Sequence, residues 1–118
     1  MEKQIMKRGI FSDTERQLKK QIETEYELFK YKMLSKSNIE IYDKCNVILF
    51  YHCIYEYFTY SQKLDKPYIS ACLKCESIIS TLYNIYKTYE YLRFERWEDI
   101  EEILNVLIRI QENPNSET

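Results

Sequence analysis

Apolar residues recur at spacings of three and four along most of this 118-residue chain, the period that gathers side chains onto one face of a helix. Leu18, Ile22, Tyr26 with Phe29, and Met33 form the first such stripe, while Arg16, Lys19, Lys20, Glu23 and Glu27 fall on the water side. A helix is predicted over about 13–35, opened by a capping box at Ser12-Asp13-Thr14-Glu15. There a hydroxyl and a carboxylate can each satisfy a free backbone N–H. Ser37-Asn38-Ile39-Glu40 repeats the box and starts a second helix, predicted over about 38–62. Its inward stripe is Ile41, Cys45, Ile48, Leu49, His52, Tyr55 and Phe58. Val, Ile, Phe and Tyr also favour strands, but the apolar positions from Asn46 to Tyr60 run too long for one strand and keep the helical period.

Leu64-Asp65-Lys66-Pro67 is the clearest break, with Asp65 placed to cap and Pro67 tolerated in a first turn. A third helix is predicted over about 67–90, burying Tyr68, Cys72, Cys75, Ile79, Leu82, Tyr86 and Tyr89. A fourth, over about 97–112, offers Ile100, Ile103, Leu104, Leu107 and Ile110, with Val106 and Ile108 widening the stripe. Neither glycine nor proline separates these two, so the junction near Leu92 to Arg96 reads either as a short kinked turn or as almost continuous helix. So wide a stripe suggests a second contact surface, such as a homodimer through the fourth helix. The expected architecture is all-α, a compact four-helix up-down bundle: a short N-terminal arm at 1–11, one helical domain at 12–112, and a flexible tail at 113–118.

Composition adds one feature, the twelve tyrosines. A single glycine, two prolines and one alanine beside fifteen isoleucines and twelve lysines follow AT-rich codon usage, which accounts for many tyrosines without a function. The predicted stripes take Tyr26, Tyr55, Tyr86 and Tyr89 into the core or its boundary. Tyr51, Tyr57, Tyr60, Tyr83 and Tyr91 fall off the stripes, and large exposed aromatics commonly mark an interface.

The net charge of −2 is unevenly placed, with nine bases against six acids in residues 1–36 and three against eight in residues 90–118. Glu95, Glu98, Asp99, Glu101 and Glu102 crowd the start of the fourth helix, where the helix dipole favours negative charge. Beside Trp97 and Tyr91, the same residues can form a patch that docks on a basic partner. The candidate partner-binding set is therefore Tyr51, Tyr57, Tyr60, Tyr83, Tyr91, Trp97, Glu98, Asp99 and Glu102. The basic amino-terminal stretch of Lys3, Lys7, Arg8, Arg16, Lys19 and Lys20 is interleaved with acids and lacks an aromatic platform, so direct nucleic-acid binding is not expected.

Catalytic and cofactor signatures are sparse. Cys72-Leu73-Lys74-Cys75 has the spacing of a zinc or redox pair, which Cys45, His52 and Cys53 could complete, but it lies inside a helical pattern rather than in a tight turn. Two small side chains three apart on a buried helical face explain it as well. Neither a bound metal nor a cofactor is expected. His52, the single histidine, falls on an apolar stripe and reads as structural, and one glycine allows no glycine-rich phosphate loop, so an enzyme is not expected. No signal-peptide core and no membrane-length apolar run is visible, which points to the cytoplasm with reduced thiols.

The succession Glu25-Tyr26-Glu27-Leu28-Phe29, Met33-Leu34-Ser35-Lys36-Ser37-Asn38-Ile39-Glu40-Ile41-Tyr42, then Leu82-Tyr83-Asn84-Ile85-Tyr86 and Trp97-Glu98-Asp99-Ile100-Glu101-Glu102-Ile103 resembles an uncharacterised domain-of-unknown-function family of small helical proteins from gut Firmicutes and their mobile elements. The resemblance covers about residues 15–110 and implies a small accessory protein of a low-GC bacterium or its phage. In that setting the leading expectation is a non-enzymatic module that occupies a protein partner, concretely an anti-CRISPR-like inhibitor of a nucleic-acid-binding host defence complex. A dimeric DNA-binding regulator of a mobile element and a metal or redox protein built on the four cysteines are the alternatives.

Overall fold

The computed structural model describes residues 13–61 and 64–113, and these form six α-helices with no strand among them. They are α1 (Asp13–Leu34), α2 (Asn38–Asp43), α3 (Cys45–Tyr60), α4 (Lys66–Leu73), α5 (Ile78–Thr88) and α6 (Trp97–Glu112). The all-α class stands, but the second and third of the four expected helices are each divided in two. The expected Ser12 cap, the N-terminal arm and positions 114–118 of the tail lie outside the described residues.

The first helix follows its pattern, with Leu18, Ile22 and Met33 buried. Glu15 and Glu25 also fall on that inward face, and each captures backbone donors from a distant segment. Glu15 accepts from the Leu64 N–H at 3.3 Å, tying the α3–α4 connection down. The Glu25 carboxylate accepts from the N–H groups of Ile78 and Ile79, both at 2.8 Å, at the start of α5. Lys19 does not face water as expected, because its Nζ donates to the Phe58 carbonyl.

The Ser37–Glu40 capping box forms as expected, with Glu40 N–H on Ser37 Oγ at 3.2 Å and Ser37 N–H on Glu40 Oε1 at 2.9 Å. The helix it opens lasts six residues and buries none of them. At Lys44 the backbone leaves helical geometry, φ −106° and ψ 19°, and α3 begins on a different facing. Phe50, Ile54, Tyr57 and Phe58 point into the core, whereas Cys45, Leu49 and His52 are exposed. The enclosed face is thus turned most of the way to the opposite side of the helix from the expected stripe, of which Phe58 alone is fully buried. Burying a large apolar side chain contributes about 1.5–3 kcal/mol, so Phe50 and Ile54 claim the interior over a histidine and a cysteine. Phe50 is fully enclosed, with the rings of Tyr83, Phe94 and Tyr86 centred 5.1, 5.2 and 5.4 Å away.

Pro67 stands in the first turn of α4 and Asp65 occupies the cap position, though without a side-chain cap bond. The chain then leaves the helix over Lys74 to Ser77 and re-enters at Ile78, where Glu25 supplies the acceptors that α5 lacks locally. Between α5 and α6 the eight residues 89–96 form a true connection, pinned by buried Leu92 and by Phe94 against Phe50 and Tyr86. Both α1 and α6 pack on α3, α4 and α5. Of the wide apolar stripe of α6, Ile100, Ile103, Leu104, Val106 and Leu107 are buried within one chain, and Ile108 and Ile110 are partly buried.

Candidate functional site

The expected partner residues do not form one surface. Five of them, Tyr57, Tyr60, Trp97, Glu98 and Glu102, gather where the last turns of α3 meet the first turns of α6. Tyr57 is 3% exposed, so it is a structural member of the group and not the contact residue expected. Its hydroxyl donates to Glu101 Oε2 at 3.1 Å, and its ring meets Trp97 edge-on with centroids 5.7 Å apart. Burial first and the Glu101 carboxylate second push the Tyr57 phenol well above its ordinary range, which keeps it a neutral donor.

Around this pair the acids divide by role. Asp99 folds back onto the N–H groups of Glu95 and Arg96 at 3.1 and 2.9 Å, and so starts α6 instead of facing a partner. Glu101 holds Tyr57. On α4, Tyr68 donates to Asn105 Oδ1 at 3.1 Å, and its phenol is raised by burial and then by Glu101, Asp65 and Glu102. Glu98, next to Trp97 in the first turn of α6, and Glu102, one turn further on, are exposed; Trp97 is 46% exposed, and Tyr60, one turn beyond Tyr57, is 62% exposed. The start of α6 thus carries exposed acids and a half-exposed tryptophan where it meets the end of α3.

Tyr51, midway along α3, and Tyr83 on α5 stand apart from this group, and both are partly buried. Tyr51 stacks on Phe29, centroids 3.9 Å apart and planes 11° apart, and Tyr83 packs on Phe50 with Lys87 Nζ 5.5 Å from its ring centre. Both line a cleft of about 430 Å³ with Lys32, Lys36 and Lys44. Tyr91 is exposed and accepts from Arg109 Nη2 at 3.3 Å, apart from both groups.

The cysteines are scattered. Cys72 is wholly buried in α4, Cys75 follows the helix with its thiol donating to the Ala71 carbonyl at 3.6 Å, Cys53 is partly buried and Cys45 is exposed. Burial pushes the Cys72, Cys75 and Cys53 thiols up, away from the thiolate that metal binding and redox exchange need. Among the described residues no group of three His, Cys, Asp or Glu side chains could hold a metal ion. His52, expected on a buried face, is exposed, with Nδ1 2.9 Å from the Tyr26 hydroxyl and Nε2 3.2 Å from Glu56. Of the basic amino-terminal residues, Lys3, Lys7 and Arg8 lie outside the described residues, and Arg16 pairs with Asp13. No described helix is long and apolar enough to cross a membrane.

Sequence reasoning missed Leu28, Tyr31 and Leu34 of α1, Ile39 and Tyr42 of α2, and Leu49 of α3, all of which are exposed. The signal was present in Leu28, Tyr31 and Leu34, which fall off the α1 stripe. No family model, curated protein or solved structure matches the chain.

Proposed function

We propose that this chain is a non-enzymatic protein-interaction module that docks a basic surface of a partner protein on its α3–α6 face. The observation that carries the reading is Trp97 standing half-exposed and edge-on to buried Tyr57, in a first turn of α6 that also carries exposed Glu98, with exposed Glu102 one turn further along the helix. A preorganised aromatic anchor flanked by charge supplies contact area at little entropic cost, and the acids select a cationic partner. Proteins that bind nucleic acid present such basic surfaces. The concrete form of the proposal is an anti-CRISPR-like inhibitor that covers the nucleic-acid-binding surface of a host defence nuclease complex, in keeping with the resemblance to mobile-element proteins.

The test is affinity capture from the encoding organism with the full chain as bait, run beside a variant carrying Trp97→Ala, Glu98→Lys and Glu102→Lys. The expected result is a nucleic-acid-binding protein retained by the unaltered chain, lost by a variant of unchanged helical circular dichroism, and displaced from its nucleic acid by the chain. Failure to recover a partner, or equal retention by the variant, overturns the reading.

A further inference from the structure

Along the first half of α3 the surface has the reverse charge and an open concave shape. The cleft of about 430 Å³ between α1, α5 and the α2–α3 junction has an apolar floor of Phe29, Met33, Val47, Tyr51 and Tyr83. Lys32, Lys36 and Lys44 line it too, Ser80 and Asn84 add polar groups from α5, and among the described residues no acid lines it. A smaller hollow of about 180 Å³ shares Phe29, Lys32 and Tyr51 with it and extends the groove towards Ser77 and Leu28. The Glu25 carboxylate in that extension is engaged by the Ile78 and Ile79 N–H groups and by Gln21. Glu40, which feels the charges of Lys36 and Lys44, has its carboxylate turned into the Ser37 capping box. Cations grouped over an apolar concavity raise the local potential for an anion that also carries an apolar group.

We infer that this groove is a docking site for an acidic peptide segment of a partner protein, one with an aliphatic or aromatic side chain between its carboxylates. The hydrophobic side chain enters the floor between Met33, Val47 and Tyr83, and the carboxylates meet Lys32 on one wall and Lys36 and Lys44 on the other. A single strand of nucleic acid fits less well, because base stacking needs open ring faces and Phe29 and Tyr51 turn theirs on each other. Two copies meeting groove to groove would bring their lysines together, which disfavours a symmetric dimer. The inference is independent of the α3–α6 face, since the two surfaces share no residue.

A random-peptide display selection on the full chain tests it. Selected peptides are expected to carry Asp or Glu on both sides of an apolar residue, and to lose affinity as salt rises. They should bind about tenfold more weakly to the exposed double variant Lys32→Glu with Lys44→Glu. Affinity should persist in Lys32→Arg with Lys44→Arg and in Trp97→Ala, with circular dichroism showing each variant folded. Selection of nothing, of neutral or basic peptides, or of acidic peptides that bind the reversed variant equally well overturns the inference. Tighter binding of a single-stranded oligonucleotide through the same lysines overturns it in favour of nucleic acid. Sedimentation showing head-to-tail assembly that the reversed variant abolishes overturns it in favour of a second copy.

Discussion

Removal of the Glu25 carboxylate tests how this fold divides its helices. The Lys74 to Ser77 stretch carries no cap of its own that bonds the first N–H groups of α5, and Ser77 makes no side-chain cap bond. Those donors go to Glu25 instead, through two contacts of 2.8 Å from partly buried groups. A hydrogen bond to a charged group contributes a net of about 1.5–3 kcal/mol, and a lost helix cap costs about 0.5–2 kcal/mol. These describe the same contacts and are not summed in full, so Glu25→Ala should cost roughly 2–4 kcal/mol. Glu25→Gln keeps one acceptor oxygen but turns an amide donor towards the other N–H, and should cost about half as much. For a chain of this size each kcal/mol moves the melting temperature by about 4 °C, so the alanine variant should melt roughly 8–16 °C lower. Urea unfolding followed by circular dichroism gives the free energy, and amide exchange at Ile78 and Ile79 localises it. Glu23→Ala, an exposed acid on the same helix, serves as control and should stay within about 0.5 kcal/mol. If Glu25→Ala also stays within that limit, or if Ile78 and Ile79 remain protected in it, the α4–α5 break is not held by this carboxylate.

Tyr57→Phe deletes the hydroxyl that reaches Glu101 and should cost about 1 kcal/mol at neutral pH by urea unfolding. Because the folded-state Tyr57 phenol is raised, the stability it contributes is full below the ordinary phenol range and is lost as pH rises through the raised value. The phenylalanine variant should therefore lose less stability on alkaline titration than the unaltered chain, and parallel losses would refute the assignment. The Ser37 backbone N–H is the main cause that holds the Glu40 carboxyl below its usual range, so its contribution is present above that range and lost as pH falls through the lowered value. Amides of α2 should lose protection in acid before those of α3, and simultaneous loss would count against the box as the clasp of α2. Ile39→Lys and Tyr42→Lys should each change stability by less than about 0.5 kcal/mol, since α2 buries no residue, and a larger loss in urea unfolding would place α2 in the core.

Local signals carried much of the helix content. The stripe of α1, the box at Ser37 and Glu40, and the proline start of α4 each depend on residues within a turn of one another, and each stands in the structure. The face of α3 was not legible in the same way. His52 and Cys45 keep a helical spacing as good as that of Phe50 and Ile54, and only the aromatic side chains of α5 and the connection after it decide which set is enclosed. For the same reason Tyr57 passed from the expected surface to the core while Trp97 and Tyr60 stayed outside.

The sequence by itself determined that the chain is helical and where the strongest starts lie, because apolar period and capping chemistry act over a few residues. Tertiary structure decided where helices break, how α3 turns and which tyrosines remain exposed. Those outcomes depend on donors and acceptors far apart in the chain, such as Glu25 with Ile78 and Ile79, and on competition among apolar side chains for one interior. The two acids standing on the apolar stripe of α1, Glu15 and Glu25, were the trace of that long-range pairing in the sequence, since a carboxylate on a buried face needs partners that its own helix does not supply.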